Sequence, residues 1–124
     1  MLADEILKLE RAALDRWGKG DPDGYVEISA PEATYFDPFA ERRVDGLPAI
    51  QAWLEQARGK VKIERDEIVD PLVQVIGEAA ILSFRFVSQG SEGSMRWNCT
   101  EVYRRFNHGW KIVHTHWSLT KSGA

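Results

Sequence analysis

Cysteine is nearly absent: Cys99 stands alone, which excludes an intrachain disulfide and leaves no cysteine spacing for a metal site. Burial alone must hold the fold, as suits a reducing compartment, so a cytoplasmic location is expected. No run approaches the roughly 20 apolar residues a membrane-spanning helix needs. The start, Met1-Leu2-Ala3-Asp4-Glu5, also lacks the basic-then-apolar order of a signal peptide, and no membrane partner is expected. Charge of one sign is scarce as well. The formal net charge is −3, and arginines sit among acids in Glu41-Arg42-Arg43 and Glu64-Arg65-Asp66. No basic stripe is available to track phosphates, so nucleic acid is not an expected partner. Internal repeats, low-complexity tracts and linkers are missing too.

What is present is the composition of a packed globular chain: 124 residues, 44% hydrophobic and 28% charged, enough for one core and no second one. Residues 1–124 are expected to form a single domain. Leu2, Ile6, Leu9, Ala13 and Trp17 recur at steps of three or four and predict a helix over roughly Ala3 to Trp17. Gly18 and Gly20 end it. Asp21-Pro22 then supplies a cap and a first-turn proline for a short helix reaching about Ile28. Ala33 to Phe36 reads as a strand ended by Asp37-Pro38, with Arg42 to Asp45 as its short partner. Ile50, Trp53, Leu54 and Ala57 predict a third helix ending by Gly59.

Beyond Lys60 the pattern changes to period two, at Val61/Ile63, Leu72 to Ile76, Leu82/Phe84/Phe86, Met95 to Phe106, and Trp110 to Leu119. Reversals are expected at Gly77-Glu78, Gly90 to Gly93 and His108-Gly109. Helices first and an antiparallel meander afterwards predict an α+β fold.

The stretch from Trp97-Asn98-Cys99-Thr100-Glu101-Val102-Tyr103 through Trp110-Lys111-Ile112-Val113-His114-Thr115-His116-Trp117-Ser118 resembles the closing hairpin of one group. It is the SnoaL-like and calcium/calmodulin-dependent protein kinase II association-domain-like group, within the nuclear-transport-factor-2-like superfamily. Gly20-Asp21 and Asp70-Pro71 through Gly77-Glu78 resemble it too. The resemblance implies a cone: about three N-terminal helices on a long curved antiparallel sheet, an interior pocket, and a homodimer or larger ring formed through the sheet. It does not imply one reaction, since isomerases, cyclases, dehydratases and oligomerisation modules share the fold.

Asp37 resembles the strand-end aspartate that shuttles a proton in ketosteroid isomerases. A carboxylate at the mouth of an apolar pocket can take a proton from carbon beside a carbonyl; the other reading of Asp37 is a turn cap before Pro38. The isomerase oxyanion hole does not carry over, because Ala13 stands at the helix position of its tyrosine and Glu101 at best replaces its late-strand acid. The kinase association domains carry an arginine where this chain has Glu101, so the local charge is reversed and a neutral or cationic ligand is favoured.

A two-residue turn at His108-Gly109 puts Tyr103 opposite His114 and Glu101 opposite His116, all on one face. On that register Glu101, Tyr103 and His116 join Asp37 as catalytic candidates, and His114 joins the ligand-binding set; the alternative is a buried histidine satisfied by a neighbouring acid. His114 and His116 have no third ligand nearby, and neither metal nor cofactor is expected. The cone leaves a cavity between the first helix and the sheet, and on that basis Trp17, Tyr35 and Trp97 are expected to line it. Cys99 is expected to be an inert buried thiol. The expected ligand is a small, largely apolar organic molecule, handled by cofactor-independent acid/base chemistry or simply bound. A non-catalytic association module is the alternative.

Overall fold

Helix α1 (Leu2–Trp17) turns Ile6, Glu10, Ala13 and Leu14 inward, a stripe at helical spacing that is apolar except for one carboxyl. The computed structural model describes residues 2–90 and 93–120. After α1 come α2 (Asp23–Glu27), β1 (Ser29–Phe36), β2 (Val44–Asp45) and α3 (Leu47–Glu55), then four long strands: β3 (Ile63–Ile76), β4 (Ala79–Gly90), β5 (Gly93–Phe106) and β6 (Gly109–Leu119). The strands form one curved, open six-stranded sheet in the order β2-β1-β6-β5-β4-β3. No helix among the described residues is long and apolar enough to cross a membrane.

Alternation along β4 sends Ala80, Leu82, Phe84, Phe86 and Ser88 inward, and along β5 it sends Cys99, Glu101 and Tyr103 inward, as the pleat requires. Together with Ile6, Ala13, Leu14, Ile50, Leu54 and Ile112 they build the core on the concave face, under the helices. Burying a large apolar side chain there contributes about 1.5–3 kcal/mol. Gly20 ends α1 with φ +84°, and a Cβ there would lie 3.0 Å from the Cα and N of Gly59. Only glycine fits. Its carbonyl accepts from Gly59 N at 2.9 Å and that of Gly18 accepts from Ile63 N at 2.9 Å, so the end of α1 is tied to the segment that enters β3.

The expected α+β order is present, with corrections in detail. β1 begins at Ser29 and runs parallel to β6, so the sheet is not wholly antiparallel. Ile63 and Leu72–Ile76 do not lie on separate strands: a single β3 runs from one through the other, with Val61 outside it, and it is kinked where Asp70 adopts φ 52° and the register shifts between Val69 and Leu72. Aspartate tolerates that conformation, and Pro71 cannot donate to a ladder. The period-two signal is weak there because β3 is an edge strand whose Glu64 to Glu67 are all exposed. The last hairpin turns on Asn107-His108, with Phe106 opposite Gly109. The reversal expected at Gly90 to Gly93 includes residues 91 and 92, which lie outside the described residues.

Candidate functional site

Between the helices and the concave face of the sheet lies a cavity of about 590 Å³, within the size range of small-molecule sites. Its depth is set by Tyr25, Ile112 and Thr115, all buried, and its mouth by Phe39, Lys60 and Lys62, all exposed. The walls are aromatic. Trp117 meets Phe84, Phe86 and Trp97 edge to face at centroid distances of 5.7, 6.0 and 5.9 Å, the arrangement favoured by ring quadrupoles. Trp17 closes the side toward α1 and Trp53 the side toward α3.

Asp37 borders this cavity just past the end of β1. Its Oδ1 accepts the backbone N–H groups of Phe39 (2.8 Å) and Ala40 (2.9 Å). Its Oδ2 accepts the Tyr35 hydroxyl (2.8 Å) and the Trp53 indole N–H (2.9 Å). One oxygen thus caps the turn and the other pins two cavity aromatics, so both sequence readings of this residue meet at one carboxylate. Four donors occupy its roughly four lone-pair sites. Burial first, and then the Asp37 charge, push the Tyr35 hydroxyl well above the ordinary tyrosine range.

Behind the depth of the cavity lies a second polar cluster. Glu10 and Glu101 are both fully buried, one from α1 and one from β5. Glu10 accepts the Tyr25 hydroxyl at 2.5 Å and the Tyr103 hydroxyl at 2.8 Å. Glu101 Oε2 accepts the Thr115 hydroxyl at 3.3 Å, while Glu101 Oε1 is buried with no other donor. Two buried carboxyls side by side do not both ionise. Burial, the Glu10 charge and the hydrogen bond to Glu10 hold the Glu101 carboxyl well above the usual carboxylate range, so Glu101 carries the proton the pair shares. Burial, then the two carboxyls, also raise the Tyr25 hydroxyl and the Cys99 thiol well above their ordinary values.

The candidates from the sequence therefore divide. Trp17, Tyr35, Asp37 and Trp97 border the cavity. Glu101 and Tyr103 lie behind it, reaching it through Thr115 and Tyr25. His114 and His116 leave the group: His114 pairs with Val102 and His116 with Thr100, residues that alternate with the buried Glu101 and Tyr103 and so point to the opposite, outer face. There Thr34 Oγ1 meets His114 Nδ1 at 2.7 Å, and Phe36 lies 6.0 and 5.1 Å from the two imidazoles. Burial, followed by the charges of His116 and Arg43, lowers the His114 pKa. Shifting the turn by one residue changes the pairing by two and keeps faces; the irregularity between Val102 and Tyr103, which leaves Val113 unpaired, is what turns the histidines away.

Glu10 escaped the sequence reading. Its signal was available, as the one acid at a step of four from Ile6 and three before Ala13, inside an otherwise apolar stripe. Among the described residues no group of three or more metal-ligating side chains is assembled.

Comparison with known proteins places the site in context. The sequence model of the calcium/calmodulin dependent protein kinase II association domain matches residues 3–121. The calcium/calmodulin-dependent protein kinase type II alpha chain of Drosophila melanogaster is 30% identical over 94% of this chain, which spans 23% of that protein's length. Among solved structures, a ketosteroid isomerase candidate from Parabacteroides distasonis is 35% identical, with a TM-score of 0.88 over 98% of this chain and 90% of its own. The hub of the S. rosetta kinase is 27% identical, with a TM-score of 0.74 over 93% and 94% of the two chains.

Proposed function

Because the chain belongs to the calcium/calmodulin-dependent protein kinase II association-domain family, we propose that it is a self-associating module that binds a small, largely apolar organic molecule in the cavity beneath its helices. The cavity carries this reading: about 590 Å³, walled by aromatic side chains and bordered by the fixed carboxylate of Asp37. An apolar body fills such a space and one polar end fixes its orientation. Self-association is supported by the hub and association-domain relatives. The outer face of the sheet, which sets Leu72 beside Ser83 and Thr100, and Ile81 beside Val102, is the proposed homodimer surface.

Native mass spectra of the protein isolated from its own cells, before and after denaturation, test both parts. A multiple of the subunit mass that releases an apolar small molecule is expected. A monomer at micromolar concentration would sink the association, and an empty protein that gains no thermal stability from any apolar ligand would sink the binding.

A second reading, acid/base turnover at Asp37, is favoured by the likeness to the isomerase candidate. To act as a base Asp37 must release one of its four donors, and Tyr35 or Trp53, both on the cavity wall, is the partner a ligand would displace. Asp37→Asn is then expected to abolish turnover of the molecule recovered, with the assembly mass unchanged.

A further inference from the structure

A hydroxyl has one proton to donate and two lone pairs with which to accept. In this cavity the protons are committed inward. Tyr25 gives its proton to Glu10, Tyr35 to Asp37 and Thr115 to Glu101. The Trp53 N–H goes to Asp37 and the Ser29 hydroxyl proton to the Tyr25 carbonyl. All five residues border the cavity. What the three carboxyl-bound hydroxyls keep for a ligand is lone pairs, made stronger acceptors by the carboxyls to which they donate. The Ser88 hydroxyl, with no carboxyl partner, and the other indoles are the donors left on the inner wall.

The charge has the same sense. Among the described residues the buried ionisable side chains are Glu10 and Glu101, which share one proton and so carry one negative charge between them, with Asp37 half-buried on the wall. The cations bordering the cavity, Lys60 and Lys62, are exposed at its mouth, where solvent and salt screen them.

Resting on the ligand-binding reading above, we propose that the cavity selects a molecule whose polar end donates hydrogen bonds, a protonated amine on an apolar body, and discriminates against the carbonyl and carboxylate ends that an oxyanion hole would favour. An ammonium can donate to these hydroxyl oxygens and meets the negative interior; a carbonyl oxygen finds acceptors at them, and a carboxylate adds like charge.

Titration of the whole protein at pH 7 with five compounds of one skeleton tests this: 4-phenylbutylamine, 4-phenylbutanol, 4-phenyl-2-butanone, 4-phenylbutanoate and butylbenzene. The amine is expected to bind about tenfold or more tighter than the ketone and the carboxylate, the effect of one hydrogen bond made rather than frustrated, with the alcohol between. Tyr35→Phe and Thr115→Val are each expected to lower amine affinity severalfold and leave butylbenzene unchanged. Either variant, if folded, suffices. Ketone or carboxylate binding as tight as the amine overturns the proposal, and a carboxylate preference that Lys60→Gln abolishes would move the polar anchor to the mouth. Equal binding of all five, butylbenzene included, overturns the donor preference but leaves the cavity a binding site. Failure of all five overturns both.

Discussion

Replacing Glu101 with glutamine removes a proton without removing its hydrogen bond, because the amide N–H takes the place of the carboxyl proton toward Glu10. In the folded wild type, Glu101 holds its proton well above the ordinary value of 4.5, while in the unfolded chain it releases it near that value. Between the two, the native state binds one proton more than the unfolded state. Stability must therefore fall as pH rises, by up to tenfold in the folding equilibrium per pH unit, about 1.4 kcal/mol. The fall stops only where Glu101 itself ionises in the folded protein. Glu101→Gln lacks this loss. Urea denaturation at pH 5.5, 6.5 and 7.5 is expected to show the variant gaining on the wild type at each step, the difference between them growing by up to about 3 kcal/mol from the lowest pH to the highest. Other titrating groups contribute to both proteins and cancel in the difference. A difference that stays flat across the range would refute a shared proton between the two carboxyls.

Tyr103→Phe removes one of the two hydroxyl donors to Glu10 and is expected to destabilise by about 1–3 kcal/mol in urea denaturation, the cost of an under-satisfied buried carboxylate. Val102→Asp puts a charge on the outer face between Ile81 and His114; sedimentation is expected to show the assembly shifted toward smaller species, with helical and strand content unchanged by circular dichroism.

The regular parts of the fold were legible because local periodicity encodes burial directly. The stripe through Ile6, Ala13 and Trp17 marked α1, and the alternation at Leu82, Phe84 and Phe86 marked β4, since each element buries one face. β3 was harder to read: an edge strand with exposed Leu72, Val75 and Ile76 has little burial to print a period into the sequence. Asp37 was found from its resemblance to the strand-end aspartate of ketosteroid isomerases, and its cap role from its place before Pro38, but not its four donors, because Trp53 comes from another helix and no local pattern reports that contact. Glu10 was hidden by a sound rule, that acids on helices face water, which fails where a second acid, one proton and two tyrosine hydroxyls make burial tolerable. His114 and His116 were assigned to the wrong face for want of one residue, since neither composition nor periodicity announces a bulge at Val113.

That single residue decides how the two proposed roles share one sheet. β5 alternates strictly, sending Cys99, Glu101 and Tyr103 toward the helices and Thr100, Val102 and Arg104 outward. Without the irregularity at Val113, β6 would set His114 and His116 beside the buried carboxyls, where each imidazole could accept the shared proton and become a buried cation. With it, Thr115 and Trp117 face the cavity instead, and the interior keeps hydroxyl oxygens and aromatic surface in place of titrating nitrogens. The outer face receives the histidines next to the proposed dimer surface. Ligand and partner therefore meet opposite sides of the same strands, and substitutions on the two sides, lacking shared contacts, are expected to combine additively. A Val102→Asp protein that splits the assembly should retain the ligand ranking of the wild type, whereas a changed ranking would mean that the cavity takes its shape from the partner.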